Sequence, residues 1–218
     1  MTELAFPPPD PFVLPCADGP AYPVRRILCI GRNYAAHAAE MGAEVERDAP
    51  FHFLVSPLHA VRSGATVPYP PGTSDLHHEV ELAVALGEGG APWGWGVALD
   101  MTRRDLQARA KAKGQPWDAA KDFEGGAVLG PLRRDWAPEG RRIRLTVNGA
   151  PRQDAALSDM VHDVPALIAH LGTLHRLGPG DVILTGTPEG VGAVGPGDRL
   201  VGTVEGLDPV ILTVGPPA

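Results

Sequence analysis

The chain reads as a β-rich α+β protein with a few short helices, and three observations point there. Glycine and proline number 27 and 24 among 218 residues. They do not form one tract but punctuate short apolar runs such as "RILCIG", "VELAVALG" and "GDVILTG", the pattern of strands separated by turns. Helical patterning is confined to three short stretches. With no internal repeat and no evident linker, the length fits one substantial domain.

The elements follow in order. Residues 1–24 are proline-rich ("FPPPDPF") and predict an extended arm with little regular structure, leaving 25–218 as the folded domain. "RRILCIGRNY" reads as a strand that ends in glycine and a turn, and "AAHAAEMGAE" as a short helix stopped at Gly42. "PFHFLVSP" is a further strand, and 60–76 reads as loop because "PYPPGTSD" supplies breakers. "HHEVELAVALG" and "WGVALD" are two strands joined by the Gly- and Pro-rich link at 87–95. "TRRDLQARAKAK" (102–113) is the best helix, with Thr102 as N-cap, Asp105 three residues on and Gly114 closing it. Asn148-Gly149 predicts a hairpin turn, "DVPALIAHLGTLHRL" a second helix, and the remainder alternates strand and turn.

Composition excludes several classes. A net charge of −7 with no basic run argues against nucleic acid. Two cysteines, Cys16 and Cys29, make no disulfide framework and fit a reducing interior. No apolar stretch reaches the length of a membrane span and no signal-peptide pattern is present. The expectation is a soluble cytoplasmic protein.

The chemistry-bearing residues come in small groups. Glu79 and Glu81 stand two apart in an apolar alternation, so on a strand they share a face. Asp100 ends the next apolar run and could converge on the same spot. Clustered carboxylates repel unless protonated or neutralised, and an all-oxygen set suits Mg²⁺, Mn²⁺ or Ca²⁺ better than Zn²⁺. Spacing alone leaves a metal site and a solvated strand edge both open. His37 and Glu40, three apart on a helical segment, are either a surface pair or a carboxylate-oriented general base. Arg104 and Gln107 share a face of the helix after Asp100 and could reach back to the carboxylates. Lys121 stands alone among apolar neighbours, equally compatible with a buried anion contact and a surface place. "LTGTPEGVG" (184–192) is a glycine-rich turn that either brings N–H groups to an anion or simply turns.

Taken in register, "CIGRNYAAHAAEMG", "HHEVELAVALG", "VALDMTRRDLQARAKAKGQPWDAAKDF", "LTVNGAPRQ", "DMVHDV" and "PGDVILTGTPEGVGAVGPGD" resemble the fumarylacetoacetate hydrolase family, above all its small acylpyruvase and fumarylpyruvate hydrolase members. The resemblance implies a rolled mixed β-sheet with short helices, usually a homodimer. It implies Mg²⁺ (or Mn²⁺) on Glu79, Glu81 and Asp100, and a water-activating pair at His37 and Glu40. It also implies a buried Lys121, Gln107 near the water, and substrate contacts at Arg104 and Thr187. The implied reaction is hydrolysis of a C–C bond in an acylpyruvate, with isomerisation of a 2-hydroxyhepta-2,4-diene-1,7-dioate or oxaloacetate decarboxylation as the alternative. Two departures stand out. Val55 occupies the place of a lysine in "FLKP"-like strands, which predicts one cation fewer near the substrate. The 87–95 link lacks an inserted helix common in relatives.

Overall fold

The computed structural model describes residues 4–42 and 49–217. A seven-stranded mixed sheet forms the centre, in the order Phe51–Val55, Arg26–Gly31, Asp181–Leu184, Val80–Leu86, Pro92–Asp100, Ala127–Leu129, Val61–Arg62. Two neighbour pairs are parallel, Arg26–Gly31 with Asp181–Leu184 and Ala127–Leu129 with Val61–Arg62; the rest are antiparallel. A five-stranded sheet packs on one face, and a small three-stranded sheet joins Leu76–His78 to Thr102–Arg103 and Gly192–Val194. This is the rolled, β-rich α+β architecture the sequence predicts.

The central strand Val80–Leu86 is buried along its whole length, as expected of a strand covered on both faces. Val80, Leu82, Val84 and Leu86 belong to the larger apolar cluster, shared with Leu145, Leu200 and Leu212 of the five-stranded sheet. Ala83 and Ala85 lie in the second cluster with Ile27, Cys29, Ala98 and Val182. Period-2 alternation therefore puts Glu81 on the small-residue face.

Among the described residues four α-helices flank the sheets: α1 (Ala35–Glu40), α2 (Arg104–Lys113), α3 (Asp118–Lys121) and α4 (Val164–Leu174). In α4, Asp163 caps the N-terminus by accepting from the Ala166 N–H at 2.9 Å. The stretch of the first predicted helix beyond Gly42 lies outside the described residues. Helix α2 begins two residues later than predicted. Thr102 pairs as a strand residue with His77, and its hydroxyl accepts from Lys121 Nζ instead of capping the helix. Asp105 serves the first turn, accepting from its neighbour Leu106 N–H and from Thr73.

Two segments read as irregular carry structure. Within 60–76, Ala65–Tyr69 forms the edge strand of the five-stranded sheet, parallel to Val210–Pro217. Its Pro68 is tolerated because an edge needs fewer N–H donors. Residues 13–24 of the arm form a short hairpin, Val13–Leu14 against Tyr22–Pro23, with Leu14, Tyr22 and Val24 buried in the second cluster. The Tyr22 hydroxyl accepts from the Gly180 N–H and lies 2.7 Å from the Leu86 carbonyl. The link after Leu86 is shorter than its composition implies. It closes by Gly87 N–H to Ala91 O at 2.7 Å, and Trp93 and Trp95 already belong to the next strand. Asn148 and Gly149 make the predicted hairpin turn with φ of 53° and 80°.

Asp181 anchors the start of its strand. Its buried carboxylate accepts from Arg25 Nη2 at 2.9 Å, from Arg26 Nη2 at 2.8 Å and from the Gly178 N–H at 3.0 Å. Burial pushes this carboxyl up, but the hydrogen bonds from Arg26 and Arg25 outweigh it and hold it below the ordinary value. The depressed value gives stability that is fully present above the unfolded value of 3.8 and lost as pH falls through the folded one. Replacement by Asn is expected to cost about 2 kcal/mol at neutral pH. Urea melts of D181N and wild type should converge below about pH 4.

Candidate active site

The antiparallel register of the two central strands builds the site. Val80 stands opposite Leu99 and Glu81 opposite Ala98, and the Asp100 N–H donates to the Glu79 carbonyl at 2.9 Å. Glu79 and Asp100 are thus cross-strand neighbours, with Glu81 one pleat along. Carboxylate oxygens of all three lie within 4.8 Å of one another, and all three residues are at least 95% buried. The spacing left a solvated edge open; burial closes that possibility.

Each carboxylate has its own surroundings. Lys121, at the end of α3 and 2% exposed, donates to Glu79 Oε2 at 2.7 Å, Asp100 Oδ2 at 2.7 Å and Thr102 Oγ1 at 2.6 Å. That commits all three of its N–H donors. Arg104 donates from Nη2 to Glu79 Oε1 and from Nη1 to Gln107 Oε1 at 2.7 Å. Glu81 Oε2 accepts from the Gly186 N–H at 2.7 Å. Asp100 Oδ1 is buried with no hydrogen-bond partner.

The charges follow from this layout. Burial raises the Glu79 carboxyl, but Lys121 and Arg104 together overcome it and hold it well below the ordinary range. Burial, with Asp100 and Glu79 adding repulsion, drives Glu81 strongly up. Burial lifts Asp100 to about 6 against the pull of Lys121. Lys121 is held up by Asp100 and Glu79 although burial opposes its charge. Two carboxyl groups strained toward protonation, one with an orphaned buried oxygen, are what a divalent cation relieves. Glu79, Glu81 and Asp100 could hold one, and the all-oxygen set suits Mg²⁺ or Mn²⁺.

The glycine-rich turn after Asp181–Leu184 does bring N–H groups to anions, and those anions are the protein's own. Gly186, at φ +94°, serves Glu81, and a Cβ there would press on Asn33 at 2.7 Å. Gly190 donates to both oxygens of Glu40 at 3.2 Å. Glu40 in turn lies 3.3 Å from His37 Nδ1, and His37 lines the same narrow cavity as the three carboxylates. Thr187, from the same turn, also lines it and accepts from Gln153 Nε2 at 2.8 Å. Every candidate catalytic, substrate-binding or metal-ligating residue named from the sequence therefore reaches this cavity or, for Glu40, a residue that lines it.

Several contributors escaped the sequence reading. Gln153 Oε1 accepts from His78 Nδ1 and the Val80 N–H, and its Nε2 donates to Thr187 and the Pro188 carbonyl. This fixes Thr187 as an acceptor there and frees its own proton. Lys111 and Arg32 line both the cavity and an adjoining groove of about 800 Å³ walled by Phe51, Phe53 and Trp117. Lys111 had a signal, since Arg104, Gln107 and Lys111 form an i, i+3, i+7 stripe. Val55 is buried in the second apolar cluster and is absent from the cavity lining. A lysine there would start from core, not from the cavity wall.

The match to known proteins agrees with this geometry. Residues 26–215 match the family model described as fumarylacetoacetate (FAA) hydrolase C-terminal. The chain belongs to the fumarylacetoacetate hydrolase family. Within it, a fumarylpyruvate hydrolase of Ralstonia sp is 44% identical over 191 residues, 81% of this chain and 99% of that protein. An oxaloacetate tautomerase of Arabidopsis thaliana is 40% identical over 87% of this chain and 90% of its own. The crystal structure of fumarylpyruvate hydrolase from Pseudomonas aeruginosa in complex with Mn²⁺ and pyruvate superposes with a TM-score of 0.92 at 38% identity, covering 98% of this chain and 100% of that one.

Lys121 tests the electrostatic balance directly. Lys121→Met leaves Glu79 and Asp100 facing each other without their shared cation, an expected cost of about 3–5 kcal/mol in EDTA. Denaturant melts should show Mn²⁺ recovering part of that loss, and the loss shrinking at pH 5, where Asp100 takes up a proton.

Proposed function

We propose that the protein is a divalent-metal-dependent hydrolase that cleaves a C–C bond of an acylpyruvate of the fumarylpyruvate or acetylpyruvate type, giving pyruvate and a carboxylic acid. The observation that carries this reading is the buried trio Glu79, Glu81 and Asp100, with Asp100 Oδ1 unpartnered, on one cavity with the His37–Glu40 pair. The identity to the Ralstonia hydrolase supports the substrate class. Glu79, Glu81 and Asp100 would hold Mg²⁺ or Mn²⁺, which supplies Lewis-acid polarisation of a 2-oxo acid.

The chain's own groups do the rest. Glu40, accepting from His37 Nδ1–H, leaves Nε2 unprotonated and able to take a proton from water. Gln107, whose Oε1 already accepts from Arg104, turns its amide N–H groups to that water. The water oxygen bonds to the acyl carbonyl carbon and the C–C bond to the pyruvate carbon breaks. The released electron pair resides on the pyruvate fragment as an enolate, which is protonated on carbon. Lys121 stabilises the developing charge as a fixed positive charge, its N–H donors being committed elsewhere. Arg104 and the free proton of Thr187 position the substrate carboxylate.

The edge strand Phe51–Val55 leaves Leu54 exposed, with Leu58 and Leu174 exposed as well. This supports a homodimer, in which a second copy covers such an edge. No helix of the described residues is long and apolar enough to cross a membrane. The free cysteines Cys16 and Cys29 suit the cytoplasm. A second reading, oxaloacetate tautomerisation or decarboxylation or dienedioate isomerisation on the same residues, is favoured by the identity to the plant tautomerase.

Turnover of fumarylpyruvate, acetylpyruvate and oxaloacetate with Mg²⁺ or Mn²⁺ is the test. EDTA and Glu79→Ala should abolish hydrolysis, and activity that survives both sinks the metal assignment. His37→Ala should lower hydrolysis by about 10²–10⁴-fold; a tautomerase that needs another base would retain its rate. Because Glu81 and Asp100 are raised carboxyls, protons compete with the cation. Metal affinity by calorimetry should weaken as pH falls through about 6. The metal-free protein should instead gain stability over that range, since its folded state binds the extra protons.

A further inference from the structure

Two cations of the cavity have no role in the reaction above. Arg32 and Lys111 line both the cavity at the carboxylates and the groove that adjoins it. Both sit against one ring. The Arg32 guanidinium carbon is 5.9 Å from the Trp117 ring centroid and Lys111 Nζ is 4.9 Å from it. Among the described residues neither has an ion pair, and Arg32 Nε is buried without a hydrogen-bond partner. The backbone makes a further investment in Arg32, holding it at φ +59°, a conformation that costs a non-glycine residue about 1 kcal/mol or more. Burial, reinforced by Arg104 and Arg32, lowers the Lys111 ammonium to about 8, the mark of a cation-rich wall short of anions. The cavity's other two fixed cations are matched: Arg104 and Lys121 are both paired with Glu79, and Lys121 with Asp100.

Position along α2 gives the separation. Arg104 and Lys111 are two turns apart on one stripe, roughly 10 Å along the axis. A ligand whose head lies at the carboxylate trio and Arg104 would bring a tail of several carbons to Lys111 and Arg32.

We propose that Arg32 and Lys111, flanking Trp117, form a second anion subsite that binds a carboxylate at the far end of the acyl tail, so that the preferred substrate is a dioate. This rests on the hydrolase reading and narrows it from acylpyruvates at large to those with a charged tail. The Trp117 ring between the cations holds both beside the groove, where a carboxylate can accept from each. Trp117 is then the floor of the subsite, and Phe53 joins it to the carboxylate trio, lying 5.4 Å from Lys121 Nζ at its ring centroid.

The experiment compares two substrates with one head, fumarylpyruvate with a tail carboxylate and acetylpyruvate with a methyl tail. In Arg32→Met, Lys111→Met and the double variant, the kcat/KM ratio between them is expected to fall about 10- to 100-fold, mainly through KM for fumarylpyruvate. Arg32→Lys should retain part of the ratio. An unchanged ratio, with both substrates losing equally, overturns the subsite and reduces the two residues to structural roles. Binding keeps the result separate from the hydrolase reading. Calorimetry with Mn²⁺ compares 2-oxoheptanedioate with 2-oxoheptanoate, which share a 2-oxo acid head, match fumarylpyruvate in chain length and differ by the tail carboxylate. A wild-type preference for 2-oxoheptanedioate that collapses in the double variant supports the subsite even where no substrate is hydrolysed. Equal binding of the two ligands by wild type overturns it even where hydrolysis proceeds.

Discussion

Repulsion among three buried carboxylates governs the architecture of this site. Glu79, Glu81 and Asp100 share a space only 4.8 Å across, inside a sheet whose neighbouring positions are alanine, valine and leucine. Such a cluster persists only because its charge is shared out unevenly. Glu79 is kept ionised by Lys121 and Arg104, while Glu81 and Asp100 are pushed toward their neutral forms. Asymmetry of this kind separates carboxyls by environment rather than by type. Helices α2 and α3 each deliver one cation to the cluster, Arg104 from the first residue of α2 and Lys121 from the last of α3.

The carboxylate face was legible in the sequence because strand periodicity is local. Two residues of spacing put Glu79 and Glu81 on one side, and Asp100 needed only an antiparallel neighbour. The stripe of Arg104 and Gln107 was legible for the same reason on a helix. Lys121 was legible only through the family resemblance, since its helix is a single turn with no period to read, and its partners are 42 and 21 residues away in sequence. Gln153 carried no signal because a polar residue in a hairpin strand is ordinarily exposed. Its burial comes from the turn that folds over it.

Non-local pairing misled the reading elsewhere. Ala65–Tyr69 contains Pro68 and is flanked by Gly64 and by Pro70, Pro71 and Gly72, so it reads as loop, and it becomes a strand by lying parallel to Val210–Pro217 from the far end of the chain. Thr102 has every local mark of an N-cap. The chance to accept from a buried ammonium at 2.6 Å outweighs a solvent-exposed cap. In both cases tertiary context overrode a sound local preference.

The turn at 185–190 has a wider consequence. Through Gly186 it holds Glu81, through Thr187 it faces the cavity, and through Gly190 it steadies Glu40. Six residues thus tie the carboxylate trio, the cavity wall and the histidine pair to one backbone path, and changes within them cannot be independent. The groove around Trp117 lacks such hydrogen-bonded ties: among the described residues the side chains of Arg32 and Lys111 make no hydrogen bond to the carboxylate trio, although both line its cavity. A change in the groove therefore reaches the trio through charge and packing alone, whereas a change in the turn breaks a hydrogen bond to it.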